Sequence, residues 1–383
     1  MSVIDVDTHW ESTTFEPGEY PLAPWADQIP APLDALALAI AGDLLRALPP
    51  DRRPDARTLL PNLVARAEER GGPIILHPRH ESSASERVTW MNHVGIDHCL
   101  VNPGGYFESV NHVDDRARAV SRCNDYLADQ LSGHIDRLHP VALLDLSDVE
   151  AAVAELERAR RLGHRAFILY TDDGGPPGGV SPGHPAFDRL WSAATSLGMV
   201  AVIHIGNTKA NFAGWANIGW DEPGSAGIAG LVRLANTQRL HLAQNLIVAL
   251  LYGGVFARHP TLTVMLEEMR VGWLPWFVKS CKRQSMSSPA LGDWPWDVSG
   301  EEMLHRGLRA TPLPGSGDDD ALDVVTQLPD MCSFSSDYPH QEGNVEPIAL
   351  YGNALDRLDP DARSRFLGAN VLDCFARMGD PLA

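Results

Sequence analysis

The chain has 383 residues, 44% of them hydrophobic and 21% charged, with a formal net charge of −19. That size allows one large closed barrel of alternating strands and helices or two smaller domains, and the composition supports a substantial buried core. The acidic balance argues against a nucleic-acid partner, because phosphate binding draws on clustered Lys and Arg, and no apolar run reaches the length of a bilayer.

In chain order, short runs rich in Val, Ile and Leu recur, each ending in polar residues: SVIDVD, GIDHCLVNPG, LHPVALLDL, HRAFILYTDD, GMVAVIHIGN, LTVMLEEM and MCSFSSDYPH. Helical patterns lie between many of them. DVEAAVAELERARRLG places Val149, Ala152, Val153, Leu156 and Ala159 on one side of a 3.6-residue period, with Asp148 near its start and Gly163 after its end. AFDRLWSAATSLG repeats the pattern and closes in Gly198. Strands that are apolar nearly throughout, joined by crossover helices, predict a parallel sheet covered on both faces. Periodicity alone admits either a doubly wound open sheet or a closed (β/α)8 barrel of the TIM type with insertions.

Three stretches interrupt the alternation. Residues 13–90, with PGEYPLAPWADQIPAP and LPPDRRPD, read as a Pro-rich cap or interface insertion. Residues 207–240 carry the aromatic connector NTKANFAGWANIGWDEPGS, which includes Trp215 and Trp220, and read as a functional loop. Residues 278–330 are rich in Pro, Gly and Asp and read as loops at the active-site face, with no seventh strand placed there. The five cysteines are scattered, odd in number and free of CxxC pairing, which suggests neither a disulfide framework nor a thiolate zinc knuckle. With no basic and then apolar leader before the first strand, a soluble cytoplasmic protein is expected.

The chemistry gathers at strand ends. Asp7 and His9 close the first strand, His204 closes GMVAVIHIG, Glu267 and Glu268 close LTVMLEE, and Asp337 closes MCSFSSDYP. In a parallel barrel all strand C-termini share one face, so these side chains converge there. Two imidazoles with carboxylates form a nitrogen and oxygen donor set suited to zinc, manganese or iron(II). Each residue taken singly has a plainer role: Asp7 and Asp337 as turn acids, His204 as a core histidine bonded to a carbonyl, the two glutamates on a solvated helix start.

DVDTHWE, the HIG after an apolar strand, GGVFARHPTLTVMLEEMRVGWLPWF, SSDYPHQEG and FLGANVLDCFARM together resemble the amidohydrolase-related family that includes aminocarboxymuconate-semialdehyde decarboxylase and the aromatic-acid decarboxylases. The similarity runs from residue 2 to about residue 376. It implies a metal-dependent (β/α)8 barrel with one divalent ion, Zn2+ first and Mn2+ as the alternative. Carried over by position, Asp7 and His9 are the first-strand ligands, His204 the fifth-strand ligand, and Asp337 the eighth-strand ligand or proton carrier. Many relatives have two histidines in the first strand, where this chain has Asp7 and His9. Glu268 takes the place of a catalytic histidine after strand six.

Around this set, His241 is a candidate proton-transfer residue or a plain helix-start histidine, and Arg270 either grips a substrate carboxylate or pairs with a glutamate. Trp10, Tyr170, Trp215, Trp273 and His340 are candidate walls of an aromatic pocket. Lys209 is the only lysine near the metal strands and reads as a surface residue. The expected reaction is non-oxidative decarboxylation of a small aromatic or unsaturated carboxylic acid. Hydrolysis of an amide, lactone or C–C bond is the alternative, and a binding barrel without chemistry the third reading. A homodimer is expected by analogy with relatives.

Overall fold

The computed structural model describes residues 2–10, 83–104, 116–169, 179–204, 219, 224, 227–313, 321–340 and 343–382. Within them β1 (Ile4–His9), β2 (His98–Asn102), β3 (Leu138–Leu143), β4 (Ala166–Ile168), β5 (Val200–His204), β6 (Val264–Glu267) and β7 (Leu308–Ala310) pair in parallel, each beside the next in sequence. Their residues are buried throughout, as strands covered on both sides must be. A doubly wound sheet would reverse its order at a switch point, and this one does not.

The ring closes through residues 331–338. The Ala310 amide donates to Met331 O (2.8 Å) and the Ser333 amide to Ala310 O (3.0 Å), which ties this segment to β7. On its other side the Val6 amide donates to Phe334 O (3.3 Å), the Asp337 amide to Asp7 O (2.9 Å) and the His9 amide to Tyr338 O (2.8 Å). The segment therefore occupies the eighth strand's place between β7 and β1, and the fold is the (β/α)8 barrel.

Helices α1 (Ala84–Val94), α2 (Arg116–Leu131), α3 (Val149–Arg161), α4 (Asp188–Leu197) and α5 (Gly227–Tyr252) lie between successive strands up to β6, with the short α6 (Val255–Arg258) following α5. Asp148 caps α3 by accepting from the Glu150 and Ala151 amides at 2.9 and 3.1 Å, and Ala152, Val153, Leu156 and Ala159 are its buried residues, as the period predicts. Gly198 ends α4 in the left-handed region at φ 71°.

The 278–330 stretch departs from its reading as loops. It holds the end of α7 (Leu274–Gln284), then α8 (Gly300–Gly307), β7 and α9 (Ala321–Gln327), which are barrel wall. β7 escaped the sequence reading because it has three residues, and one of them, Arg309, breaks the apolar run. Of the 207–240 stretch, residues 227–240 form the start of α5 rather than a loop. Most of it otherwise lies outside the described residues, as do residues 13–82 of the Pro-rich region, Tyr170, Lys209, Trp215 and Trp220.

The closing FLGANV motif has a mechanical explanation. Residues Arg365–Ala369 form a π-helical turn, and Phe366 O accepts the Phe334 amide at 2.9 Å. A Cβ on Gly368 would sit 2.2 Å from Ser2 O, so only glycine lets this turn approach the start of β1. Asn370 donates to Pro329 O and Cys332 O, both at 2.8 Å, and so holds the entry to the closing segment.

Two buried histidines at the other end of the barrel set a pH response. Burial, helped by the charges of Arg165 and His98, holds His139 down to about 3, and burial holds His164 down to about 4. His164 Nε2 donates to Asn124 O at 3.0 Å in its neutral form. Both rings stay neutral in the fold but take up protons in the unfolded chain below the ordinary value of 6.5. Their contribution to stability should thus be lost progressively as pH falls from that value toward the folded ones. His164→Gln, which keeps a donor for Asn124, should therefore gain urea midpoint relative to wild type between about pH 7 and about pH 5. A variant whose midpoint keeps a constant offset from wild type over that range would contradict this.

Candidate metal centre

β1 presents three charged residues to the barrel interior. Asp5, Asp7 and His9 are all fully buried, and the β1–β2 register shifts between Asp5 and Thr8, a bulge-like irregularity just where the donors begin. Asp5 does not reach the cluster. Its carboxylate accepts from the Ser336 amide (2.9 Å), the Ser336 hydroxyl (2.5 Å) and the Asp7 amide (3.3 Å), locking β1 to the closing segment. Burial nevertheless lifts its pKa to about 7.

A second lock lies one residue pair further on. Thr8 Oγ1 donates to Tyr338 O at 2.7 Å, and Arg87 of α1 donates to Thr8 Oγ1 (2.6 Å) and His9 O (2.8 Å). The buried guanidinium lies 5.0 Å from the Tyr338 ring centroid, 5.7 Å from Trp90 and 5.8 Å from Trp10. Trp10 is therefore packed against Arg87.

At the barrel mouth the predicted donors meet. His9 Nε2 lies 3.2 Å from Asp7 Oδ1, 3.4 Å from Glu268 Oε1 and 3.3 Å from Asp337 Oδ1. His204 Nε2 lies 3.5 Å from Asp7 Oδ1 and 3.4 Å from Glu268 Oε1. The two imidazoles meet edge to face with centroids 4.9 Å apart, and His340 stacks on His9 at 3.9 Å. His340 Nδ1 and Asp337 Oδ1 are 2.8 Å apart, a charge-assisted hydrogen bond when the ring is protonated.

Glu268 and Asp337 hold their places at a cost in backbone strain. Both have left-handed φ, 57° and 53°, and the third such non-glycine residue among the described ones is their neighbour Arg270 at 56°. Thr311 Oγ1 accepts the Glu268 amide at 3.3 Å.

The electrostatics divide the acids. For Glu268 burial opposes ionisation, but His204 and further hydrogen bonds hold it well below the carboxylate range, and Asp7 is likewise lowered against burial by His204 and His9. Asp337 is pushed well above by burial and by the charge of Glu268, and Glu267 by burial and Asp7. Burial and His340 oppose a charge on His9, yet hydrogen bonds to Asp337, Asp7 and Glu268 raise it to about 10. His204 is raised by Glu268 and Asp7 against burial.

The residues fit a divalent ion. Asp7, His9, His204 and Glu268 each offer one donor atom, all within 4.8 Å of one another, and a second such group is His9, Glu268, Asp337 and His340. Asp7 Oδ2 and Asp337 Oδ2 are buried without a hydrogen-bond partner among the described residues, while His9 Nε2 and Glu268 Oε1 crowd their neighbours in the cluster at 3.2–3.4 Å. Orphaned buried donors and acceptors are costly, and a cation would satisfy this set.

A family model described as Amidohydrolase matches residues 4–375. The chain belongs to the amidohydrolase family. This amidohydrolase is an enzyme of that superfamily, and solved structures share its fold. An amidohydrolase from Mycobacterium avium subsp. paratuberculosis aligns with a TM-score of 0.63 at 17% identity, covering 98% of this chain and 99% of that one. A dihydroxybenzoic acid decarboxylase from Polaromonas, solved with bound manganese and the inhibitor 2-nitroresorcinol, aligns at 0.62 and 17%, covering 98% and 97%. A 5-carboxyvanillate decarboxylase from Sphingomonas paucimobilis aligns at 0.59 and 18%, covering 98% and 99%. No curated protein matches the sequence. Among the described residues no helix is long and apolar enough to cross a membrane.

Of the residues anticipated from sequence, Asp7, His9, His204, Glu268, Asp337 and His340 come together. His241 does not: it is exposed on α5 and outside the cluster. Arg270 is exposed, and the glutamates' partners among the described residues do not include it. Trp273 is half-buried at the start of α7, its Nε1 donating to Met269 O at 2.9 Å and its ring edge-on to Phe277. Asn102 was missed, although it closes β2 as Asp7 and His9 close β1. Its Nδ2 donates to Asp7 Oδ1 (3.0 Å) and Glu267 Oε2 (2.8 Å), spanning the barrel from β2 to β6.

Because the Glu267 carboxyl is held toward its neutral form, Glu267→Gln should melt within a degree or two of wild type. Asn102→Leu strips two buried carboxyl groups of their donor and should cost about 1–3 kcal/mol. Thermal melting monitored by circular dichroism would show this ordering; the reverse order would refute it.

Proposed function

We propose that this amidohydrolase is a metal-dependent non-oxidative decarboxylase acting on an aromatic or unsaturated carboxylic acid. The observation that carries the reading is the buried donor cluster of Asp7, His9, His204 and Glu268 with the Asp337–His340 pair beside it. The decarboxylase names of two structures with this fold support it further.

Asp7, His9 and His204 would hold one divalent ion together with a further carboxylate, zinc in the first instance and manganese as the alternative. When bound, the ion supplies Lewis acidity and a chelation point for a substrate carboxylate and its neighbouring oxygen. Asn102 orients Asp7 through Oδ1. The Asp337–His340 pair supplies the proton. It protonates the carbon that bears the carboxylate, the C–C bond to the carboxylate breaks, and its electron pair returns to that carbon's framework as carbon dioxide leaves. One proton in and one carbon dioxide out balance the step. The buried position of Asp337, only 1% exposed, keeps bulk water from competing for that proton.

Purified protein should carry about one divalent ion per chain by elemental analysis, and chelation should abolish turnover with recovery on re-addition. His204→Ala is expected to lose at least about 100-fold in activity while keeping the fold. Carbon dioxide release from hydroxy-aromatic and unsaturated acids, set against hydrolysis of lactones and meta-cleavage-type diketones, decides the reaction class. Hydrolysis without carbon dioxide release would replace decarboxylation by the hydrolytic reading, and protein that never binds an ion would remove both.

A further inference from the structure

The left-handed backbone of Asp337 persists because both of its neighbours are pinned. Before it, Ser336 gives its amide and its hydroxyl to the Asp5 carboxylate. After it, Tyr338 donates its amide to Ser336 Oγ (3.0 Å), and its carbonyl accepts from the Thr8 hydroxyl (2.7 Å) and the His9 amide (2.8 Å). The Tyr338 ring stacks on Trp90 with centroids 4.2 Å apart and planes 14° from parallel. Trp90 is tied in turn by its Nε1, which donates to Val345 O at 2.9 Å.

One guanidinium spans both sides of this seam. Arg87, only 1% exposed, donates with Nη1 to the Thr8 hydroxyl that holds Tyr338 and with Nη2 to the carbonyl of His9. It faces the Tyr338 ring at 5.0 Å, with the Trp90 and Trp10 rings at 5.7 and 5.8 Å. His9 brings an imidazole to the donor cluster, and His340, two residues past Tyr338, stacks on it at 3.9 Å. Two diverging donors in one plane, with flat faces for aromatic rings, are properties of arginine. A lysine would bring the same charge without them.

We infer that Arg87 is a positioning residue for the metal centre. It holds His9 and the strained Asp337 in register across the seam between β1 and the closing segment, and it does so by the shape of its fork rather than by its charge. Thr8 is the other half of the same device, since its hydroxyl accepts from Arg87 and donates to Tyr338. This role rests on the proposal that a divalent ion is bound beside His9.

Wild type, Arg87→Lys, Thr8→Val, the double variant and Leu156→Ala are stripped of metal and titrated with Zn2+ in competition with a chromophoric chelator. Each is also loaded with Co2+ for its visible spectrum. Leu156 lies on the buried face of α3, between β3 and β4 in the chain, so its truncation gives a protein that melts lower with the seam intact. Arg87→Lys and Thr8→Val should each weaken Zn2+ binding by about ten-fold or more and change the cobalt spectrum. The double variant should fall within about three-fold of the weaker single one, because both changes break one device. Leu156→Ala should keep Zn2+ affinity within about three-fold of wild type, with the wild-type cobalt spectrum. If Arg87→Lys does not fold, Thr8→Val, which removes one hydroxyl, decides alone. Wild-type affinity and spectrum in folded Arg87→Lys or in Thr8→Val, additive losses in the double variant, or an equal loss in Leu156→Ala overturns the assignment. Wild-type protein that binds neither Zn2+ nor Co2+ overturns the functional proposal itself, which separates the two failures.

Discussion

Everything at the mouth of this barrel follows from placing several acids in a space from which water is excluded. Asp7, Glu267, Glu268 and Asp337 are each no more than 4% exposed, and carboxylates so close cannot all ionise without nearby positive charge. His9 and His204 supply part of it, and their contacts at 3.2–3.5 Å hold the ionised forms of Asp7 and Glu268. Glu267 and Asp337 are left to keep protons. A divalent cation would take over the compensating role of the two imidazolium groups, letting both rings become neutral ligands.

A charge cluster of that density must be held rigidly, and the closing segment does this. Residues 331–338 do not form a regular strand, yet hydrogen bonds join them to β7 on one side and β1 on the other. The Asp5–Ser336 and Thr8–Tyr338 bonds fix the register of β1 against that segment, and Arg87 braces both Thr8 and His9 from α1. Asp7, His9 and Asp337 are thereby placed by one continuous network rather than by three separate side-chain conformations.

Much of this was legible in the chain. β1 through β6 announce themselves as apolar runs, and the donor residues stand at their ends because a parallel barrel brings all those ends to one rim. β7 was hidden because its three residues include Arg309, whose guanidinium folds back to His305 O and Leu308 O. Asn102 was overlooked because an amide after a strand is an ordinary turn residue, and only its contacts with Asp7 and Glu267 show its place. Arg87 carries no signal in sequence: a single arginine in a helix gives no hint of stacking on three aromatic rings. His241 misled for the opposite reason, since a histidine near an apolar run looks chemical until the helix turns it to solvent.

The left-handed residues at the rim carry a consequence for anyone wishing to harden this protein against heat. Glu268 and Asp337 sit where glycine would be more comfortable, and each such conformation costs on the order of 1 kcal/mol or more. Substitution by glycine would release the strain but delete a carboxylate. Gains in robustness must therefore be sought at the opposite pole of the barrel, because at this one durability and reactivity compete for the same two positions.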